Sequence, residues 1–212
     1  MSKPLNKVKA DWSPALAYAI GLIASDGNLS TDGRHINFTS KDLELAQLFK
    51  SSLGLVNKIG RKARGYSAEK KYFVVQFGDV IFYEFLYSIG LTRAKSKTIG
   101  KIKIPDEFFF DFLRGCIDGD GSIGVYSHPE SQFGQLRVRL FSASFPFLEW
   151  IHQTIRRRLS LDEGWIERQR GGVYTLITGK AASIKILNAI YYPRVEYYLQ
   201  RKYNIARPFL EN

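Results

Sequence analysis

The chain is poor in the residues that build crosslinks and metal clusters, with one cysteine and three histidines in 212 residues. The lone Cys116 excludes an intramolecular disulfide framework and fits a reducing compartment. His35, His128 and His152 are scattered and lack the spacing of zinc ligands. No apolar run approaches the roughly 20 residues that span a bilayer, so no membrane partner is expected. The opening MSKPLNKVKADWSP is basic but has no apolar core, which points to an intracellular, non-secreted protein. Acidic side chains are scarce too: 20 Asp plus Glu stand against 31 Lys plus Arg, for a formal charge of +11. On a folded chain such an excess favours a polyanionic partner, nucleic acid ahead of membrane surface. What the chain does have is apolar mass, 45% hydrophobic residues with 15 Phe and 12 Tyr, enough for a real core.

Two segments repeat each other at long range, AIGLIASDG at 19–27 and LRGCIDGDG at 113–121. Each is an apolar helical stretch with an early glycine, ending in Asp-Gly. A carboxylate in the last turn of a helix is electrostatically awkward, because that end of the dipole is already partly negative. Placing Asp26 and Asp120 at equivalent points of two half-chains suggests that something positive belongs between them, a pair of divalent metal ions first. A single Asp-Gly would be an ordinary helix stop. The small residues Gly21, Ala24, Ser25, Gly115 and Gly119 would let two such helices pack closely and bring the carboxylates together.

Around these segments the element order repeats as well. Ser13-Pro14 caps a helix running to about Ser25. A turn at Thr31-Asp32-Gly33 and a strand over 35–39 follow, then an amphipathic helix from Asp42 to Leu53. Strands near 57–64 and 71–77 and a helix from Asp79 to Ile89 complete the first half. The second opens with a helix capped by Asp106. It continues with a strand from Ser122 to Tyr126, a polar tip at 127–134, the alternating run Leu136 to Phe141, and a helix over 145–159. Strands near 164–170 and 173–178, a helix over 180–190 and a basic, aromatic tail close it. The expected class is α+β, a tandem pseudo-two-fold αββαββα repeat with two antiparallel four-stranded sheets. Residues 1–92 form one half-domain, 93–105 a basic connector and 106–212 the other. Trp12, Trp150 and Trp165 read as packing residues, and Cys116 as a small buried hydrophobe.

The two segments resemble the paired motifs of single-chain LAGLIDADG homing endonucleases. Asp26 and Asp120 fall on the acidic eighth position, and Gly21 and Gly115 on the third. Ala24 and Ser25 depart from the motif in the first copy, Arg114 and Cys116 in the second. The resemblance spans nearly the whole chain and implies a monomer that sits as a saddle over double-stranded DNA. It implies site-specific double-strand cleavage by metal-dependent phosphodiester hydrolysis, with Mg2+ as cofactor and Mn2+ able to substitute. Asp26 and Asp120 would hold the ions, with the main-chain carbonyls of Ser25 and Gly119 as co-ligands. Lys97 and Lys202 best match the family's basic residues after the last helix of each half, with Lys95 and Arg201 as alternatives. The assisting polar strand positions correspond to Ser40 and Ala143.

DNA contacts are expected from strand residues facing away from the helices. Arg137 and Arg139 alternate with apolar neighbours, and Asn37, Thr39, Arg61, Arg64, Gln76, Arg168 and Arg170 are candidates from the other strands. The family also includes intron maturases, so intron RNA is a second candidate partner. A non-cleaving DNA-binding protein is a third reading on the same scaffold.

Overall fold

The computed structural model describes residues 7–63, 69–128 and 131–210. Helix α1 (Pro14–Asp26) starts where Ser13 Oγ accepts the Leu16 amide at 3.1 Å, with Pro14 at the first helical position. Strands β1 (Gly27–Leu29) and β2 (His35–Ser40) form a hairpin around the turn centred on Asp32. Helix α2 (Leu43–Ser52), strands β3 (Gly60–Lys62) and β4 (Tyr72–Gly78), and helix α3 (Val80–Ser88) follow. Asp79 caps α3, and its other carboxyl oxygen accepts the Lys7 and Val8 amides, which docks the incoming chain.

The second half repeats this order: α4 (Phe109–Asp120), β5 (Gly121–His128), β6 (Ser131–Ser142), α5 (Phe145–Leu159), β7 (Trp165–Arg168), β8 (Tyr174–Ile177) and α6 (Lys180–Ile190). A final helix, α7 (Gln200–Ala206), occupies the tail that the sequence marks only as basic and aromatic. Each half has one antiparallel four-stranded sheet, ordered β1-β2-β4-β3 and β5-β6-β8-β7. Helices α2 and α3 cover one face of the first sheet, and α5 and α6 one face of the second. Along β2, Ile36, Phe38 and Ser40 turn inward and alternate with His35, Asn37 and Thr39.

Two expectations change here. Asp106 does not cap α4 but opens a 3-10 turn at Asp106–Phe108, and Phe108 precedes the helix without a side-chain cap. Aromatic packing holds that entry instead: Trp12 stacks on Phe108 at 6.4 Å and meets Phe85 edge-on at 5.6 Å. The expected polar tip at 127–134 is shorter, because β5 and β6 stay paired out to His128 and Ser131 across a bulge. Polar side chains do not prevent the backbones of β5 and β6 from pairing. The basic connector packs on the body of the protein: Lys95, Ile99 and Ile102 are buried, and Ser144 Oγ donates to the Ile99 carbonyl.

Helices α1 and α4 lie side by side at the centre and touch backbone to backbone. A Cβ on Gly21 would collide with the Phe112 carbonyl oxygen and lie 2.8 Å from the Cys116 amide. A Cβ on Gly115 would collide with the Tyr18 carbonyl oxygen and lie 3.1 Å from Gly21 Cα. Cys116 is buried in this seam, as a small hydrophobe would be. Arg114, 1% exposed, satisfies its guanidinium on Asp111, the Ile190 carbonyl and the Tyr197 carbonyl at 2.6–2.7 Å, which fastens α4 to the chain after α6.

Gly115→Ala should therefore destabilise the chain by about 3 kcal/mol, since rigid backbone must separate to admit the methyl group. Gly100→Ala, where a Cβ meets nothing within 4 Å, should stay within about 0.5 kcal/mol of the parent. Denaturant midpoints of the two variants check the contrast.

Candidate active site

Helix α1 ends at Asp26 and α4 at Asp120, and in both the chain passes straight from helix into strand. The caps Gly27 (φ −83°) and Gly121 (φ −103°) are extended, not left-handed, so these glycines do not serve as conventional helix stops. They are required for room: a Cβ on Gly27 would lie 2.6 Å from Ile23 Cα, and one on Gly121 2.6 Å from Ile117 Cα. Because both strands leave directly over the last turn, both carboxylates stay at the seam between the halves. Gly119 is pressed against Ser25, and a Cβ there would lie 3.7 Å from Asp26 Oδ2. That contact brings the end of each motif helix against the other.

Two helix C-termini and two carboxylates accumulate negative charge, and neither helix has a basic residue in its last turn. The compensation arrives from far along the chain. Lys95 Nζ donates to the Gly27 carbonyl at 2.5 Å, and Lys202 Nζ donates to the Gly121 carbonyl at 2.7 Å. Each lysine thus holds the carbonyl of the glycine that follows one of the two Asp residues. Burial pulls both ammonium groups down to about 8, against the attraction of Asp120 and Asp26 on Lys95 and of Asp118, Asp120 and Asp26 on Lys202. Burial pushes the Asp120 carboxyl up, while Lys95 and Lys202 pull it back.

The halves differ in detail. Lys202 commits all three of its N–H donors to main-chain carbonyls, adding Ile117 and Asp118 (2.9 Å) to Gly121. Among the described residues Lys95 hydrogen-bonds one carbonyl, that of Gly27, where Lys202 takes three. Asp118, at the motif position that is Ala24 in the first copy, is fully buried and accepts the Tyr18 hydroxyl and the Leu199 amide, both at 2.9 Å. Burial pushes its carboxyl up to about 6, against the pull of Lys202.

Of the sequence candidates, Asp26, Asp120, Ser25, Gly119 and Lys202 converge at the seam. Lys97 does not: it is exposed at the end of a 3-10 turn, and Lys95 of the same turn is the buried residue. Ala94, in the left-handed region at φ 51°, sets the direction of that turn. Arg201 is likewise outside, paired with Asp42 at 3.1 Å. Ser40 is occupied in accepting the Asp42 amide at 3.0 Å.

The potential metal donors at the seam are two carboxylates and main-chain carbonyls. Gly119 is not among the carbonyls that Lys202 takes. Hard oxygen donors suit Mg2+ or Mn2+. Among the described residues no group of three His, Cys, Asp or Glu forms a metal cluster. A divalent ion held here would need further oxygen ligands from water and phosphate, the usual situation for Mg2+.

The open sheet faces hold some of the expected DNA-contact residues but not all. Asn37 pairs with Gln76 across β2 and β4, and both share the outward face with Thr39. Arg137 and Arg139 share the outward face of β6, and both lie near the Tyr126 ring, at 6.0 and 4.3 Å. Arg61 and Arg168 do not face that way. Arg61 pairs with Phe73, which pairs with the inward Ser40; Arg168 pairs with Tyr174, which pairs with Ser142. Edge strands of three and four residues carry too little alternation to fix their face from sequence. Arg170 sits exposed in the β7–β8 turn, and Arg64 lies outside the described residues. Trp165 is 44% exposed on the outward face, which leaves, of the core or interface packing expected of it, an interface position.

No protein-family model and no curated protein sequence matches the chain. Solved structures do. The homing endonuclease I-WcaI bound to its DNA recognition sequence aligns with 93% of this chain and 88% of its own, at 11% identity and a TM-score of 0.64. I-DmoI in complex with DNA and Mn aligns with 86% of this chain and 98% of its own, at 18% identity and a TM-score of 0.56. The N-terminal LAGLIDADG domain of DUF199/WhiA aligns with 97% and 100%, at 15% identity and a TM-score of 0.56. The chain has the LAGLIDADG fold.

The lysine geometry sets an order of stability effects. Lys202→Met should cost about 3 kcal/mol by stripping three carbonyls of a charged donor, and Lys95→Met about 1.5 kcal/mol. Lys97→Met should be neutral within about 0.5 kcal/mol. Thermal or denaturant unfolding of the three variants checks the order.

Proposed function

We propose that the chain is a monomeric, site-specific DNA endonuclease that cuts both strands of a long, non-palindromic target with a divalent metal ion. The observation that carries this reading is the pair of carboxylates at two abutting helix ends, flanked by two buried lysines in a strongly basic chain. A protein that only bound DNA would gain nothing from two carboxylates set against a phosphate backbone. The DNA- and Mn-containing relatives support the choice of substrate and cofactor class.

In this reading Asp26 and Asp120, with the carbonyls of Ser25 and Gly119, hold the metal. A divalent ion there supplies Lewis acidity to the scissile phosphate and makes water at the site more acidic. The chain's own part is positioning and charge. Lys95 donates to a phosphate oxygen or a water and stabilises charge building in the transition state. Lys202, with its donors consumed, acts through its field and by fixing the end of α4. The two half-sites are therefore related but chemically unequal.

Asp26→Asn and Asp120→Asn should each lower double-strand cleavage by about 100-fold or more while preserving specific DNA binding. Cleavage of plasmids carrying a selected target, beside gel-shift affinities, measures both. Wild-type cleavage by either variant would overturn the mechanism. Tight binding with no cleavage by the parent chain in Mg2+ or Mn2+ would favour the binding-only reading.

A further inference from the structure

The two sheets present chemically different rows at equivalent places, one strand position beyond each Asp-Gly. In the first sheet the outward row runs Asn28, Asn37, Gln76, paired directly across β1, β2 and β4. In the second, the corresponding row runs Ser122, Arg139, Ile177, Trp165 across β5, β6, β8 and β7. Asn28 and Ser122 occupy matching positions immediately after Gly27 and Gly121. Both rows lie on the faces opposite α2, α3, α5 and α6, Ile177 itself being buried between its row neighbours, and neighbouring strands stand about 4.8 Å apart. A three- or four-residue row therefore spans roughly 10–14 Å, comparable to the width of a DNA major groove.

The side chains of the two rows seek different base edges. Carboxamides match the N7 acceptor and N6 donor of adenine, and guanidinium matches the O6 and N7 acceptors of guanine. An exposed indole offers an apolar surface to the thymine methyl group. Arg139 is held against an aromatic neighbour, with its guanidinium carbon 4.3 Å from the Tyr126 ring centroid and its Nε buried without a partner among the described residues. Trp165 keeps 44% of its surface open at the outer end of the same row.

We propose that the first sheet reads adenine through the Asn28-Asn37-Gln76 row. The second sheet reads guanine through Arg139 and a thymine methyl through Trp165. This assignment rests on the DNA-binding reading above and names the base chemistry of each half-target. Asn28 and Trp165 become specificity residues, neither of which stands out in the sequence.

The test uses the full chain without divalent metal. A target is first selected by binding from random double-stranded DNA, and R139Q is put through the same selection. The half whose preferred base moves from guanine to adenine lies under the second sheet. Duplexes of the parent target then carry 7-deazaadenine, 7-deazaguanine or deoxyuridine in one half at a time. About tenfold weaker binding is expected for 7-deazaadenine under the first sheet only and for 7-deazaguanine under the second only. Deoxyuridine should weaken binding under the second sheet for the parent chain but not for W165A. A selected target whose halves respond alike, or in the opposite sense, overturns the row assignment while leaving DNA binding intact. Recovery of no preferred sequence overturns the assignment and the DNA-targeting reading together. The base-analogue measurements need no variant, so a misfolded R139Q does not rescue the proposal: loss in one half for each deaza base is still required.

Discussion

The close approach of α1 and α4 is the constraint on which the rest of this molecule depends. Glycine at 21 and 115 lets main chain lie on main chain, and no side chain can stand at either place without parting the helices. That contact holds the two helices side by side, so that their ends, and with them Asp26 and Asp120, meet at the seam. It also concentrates negative charge, since two helix C-termini and two carboxylates meet in one crease. Lys95 and Lys202 answer it from opposite halves of the chain, each on the carbonyl of the glycine after one Asp. Metal ions and DNA phosphates would enter a site whose fixed charges are already set in opposition.

Duplication supplies the frame, and the two halves depart from it in detail. The seam glycines, the extended Gly27 and Gly121 caps and the paired lysines recur in both halves. Asp118 does not recur, because its counterpart is Ala24, and its buried carboxyl ties α4 to Tyr18 of the other half and to Leu199. A symmetric pair of half-sites would suit a palindrome. In the function proposed, unequal lysines and unequal outward rows would suit two different half-targets read by one chain.

Much of this was legible from residues alone, and the failures have physical causes. Helices α5 and α6 lie at their expected bounds, because apolar periodicity over eleven or more residues is a strong signal. The two motif helices were legible because glycine and aspartate recur in matching order. Lys95 was harder to tell from Lys97: the AKSK stretch offers both, and a left-handed Ala94 decides which one turns inward. The faces of Arg61 and Arg168 were beyond sequence, since the register of a short edge strand is set by its neighbour. Whether Trp165 packs in the core or at an interface was beyond sequence, and an edge strand presents it to solvent.

In the function proposed, the paired helix ends form a divalent-metal site acting on DNA. The most direct measurement is an anomalous difference map from crystals of the chain with its selected duplex, grown in Mn2+. Manganese peaks within coordination distance of the Asp26 and Asp120 carboxylates, beside the scissile phosphates, are the predicted result. Bound DNA with no manganese at either carboxylate would contradict the account.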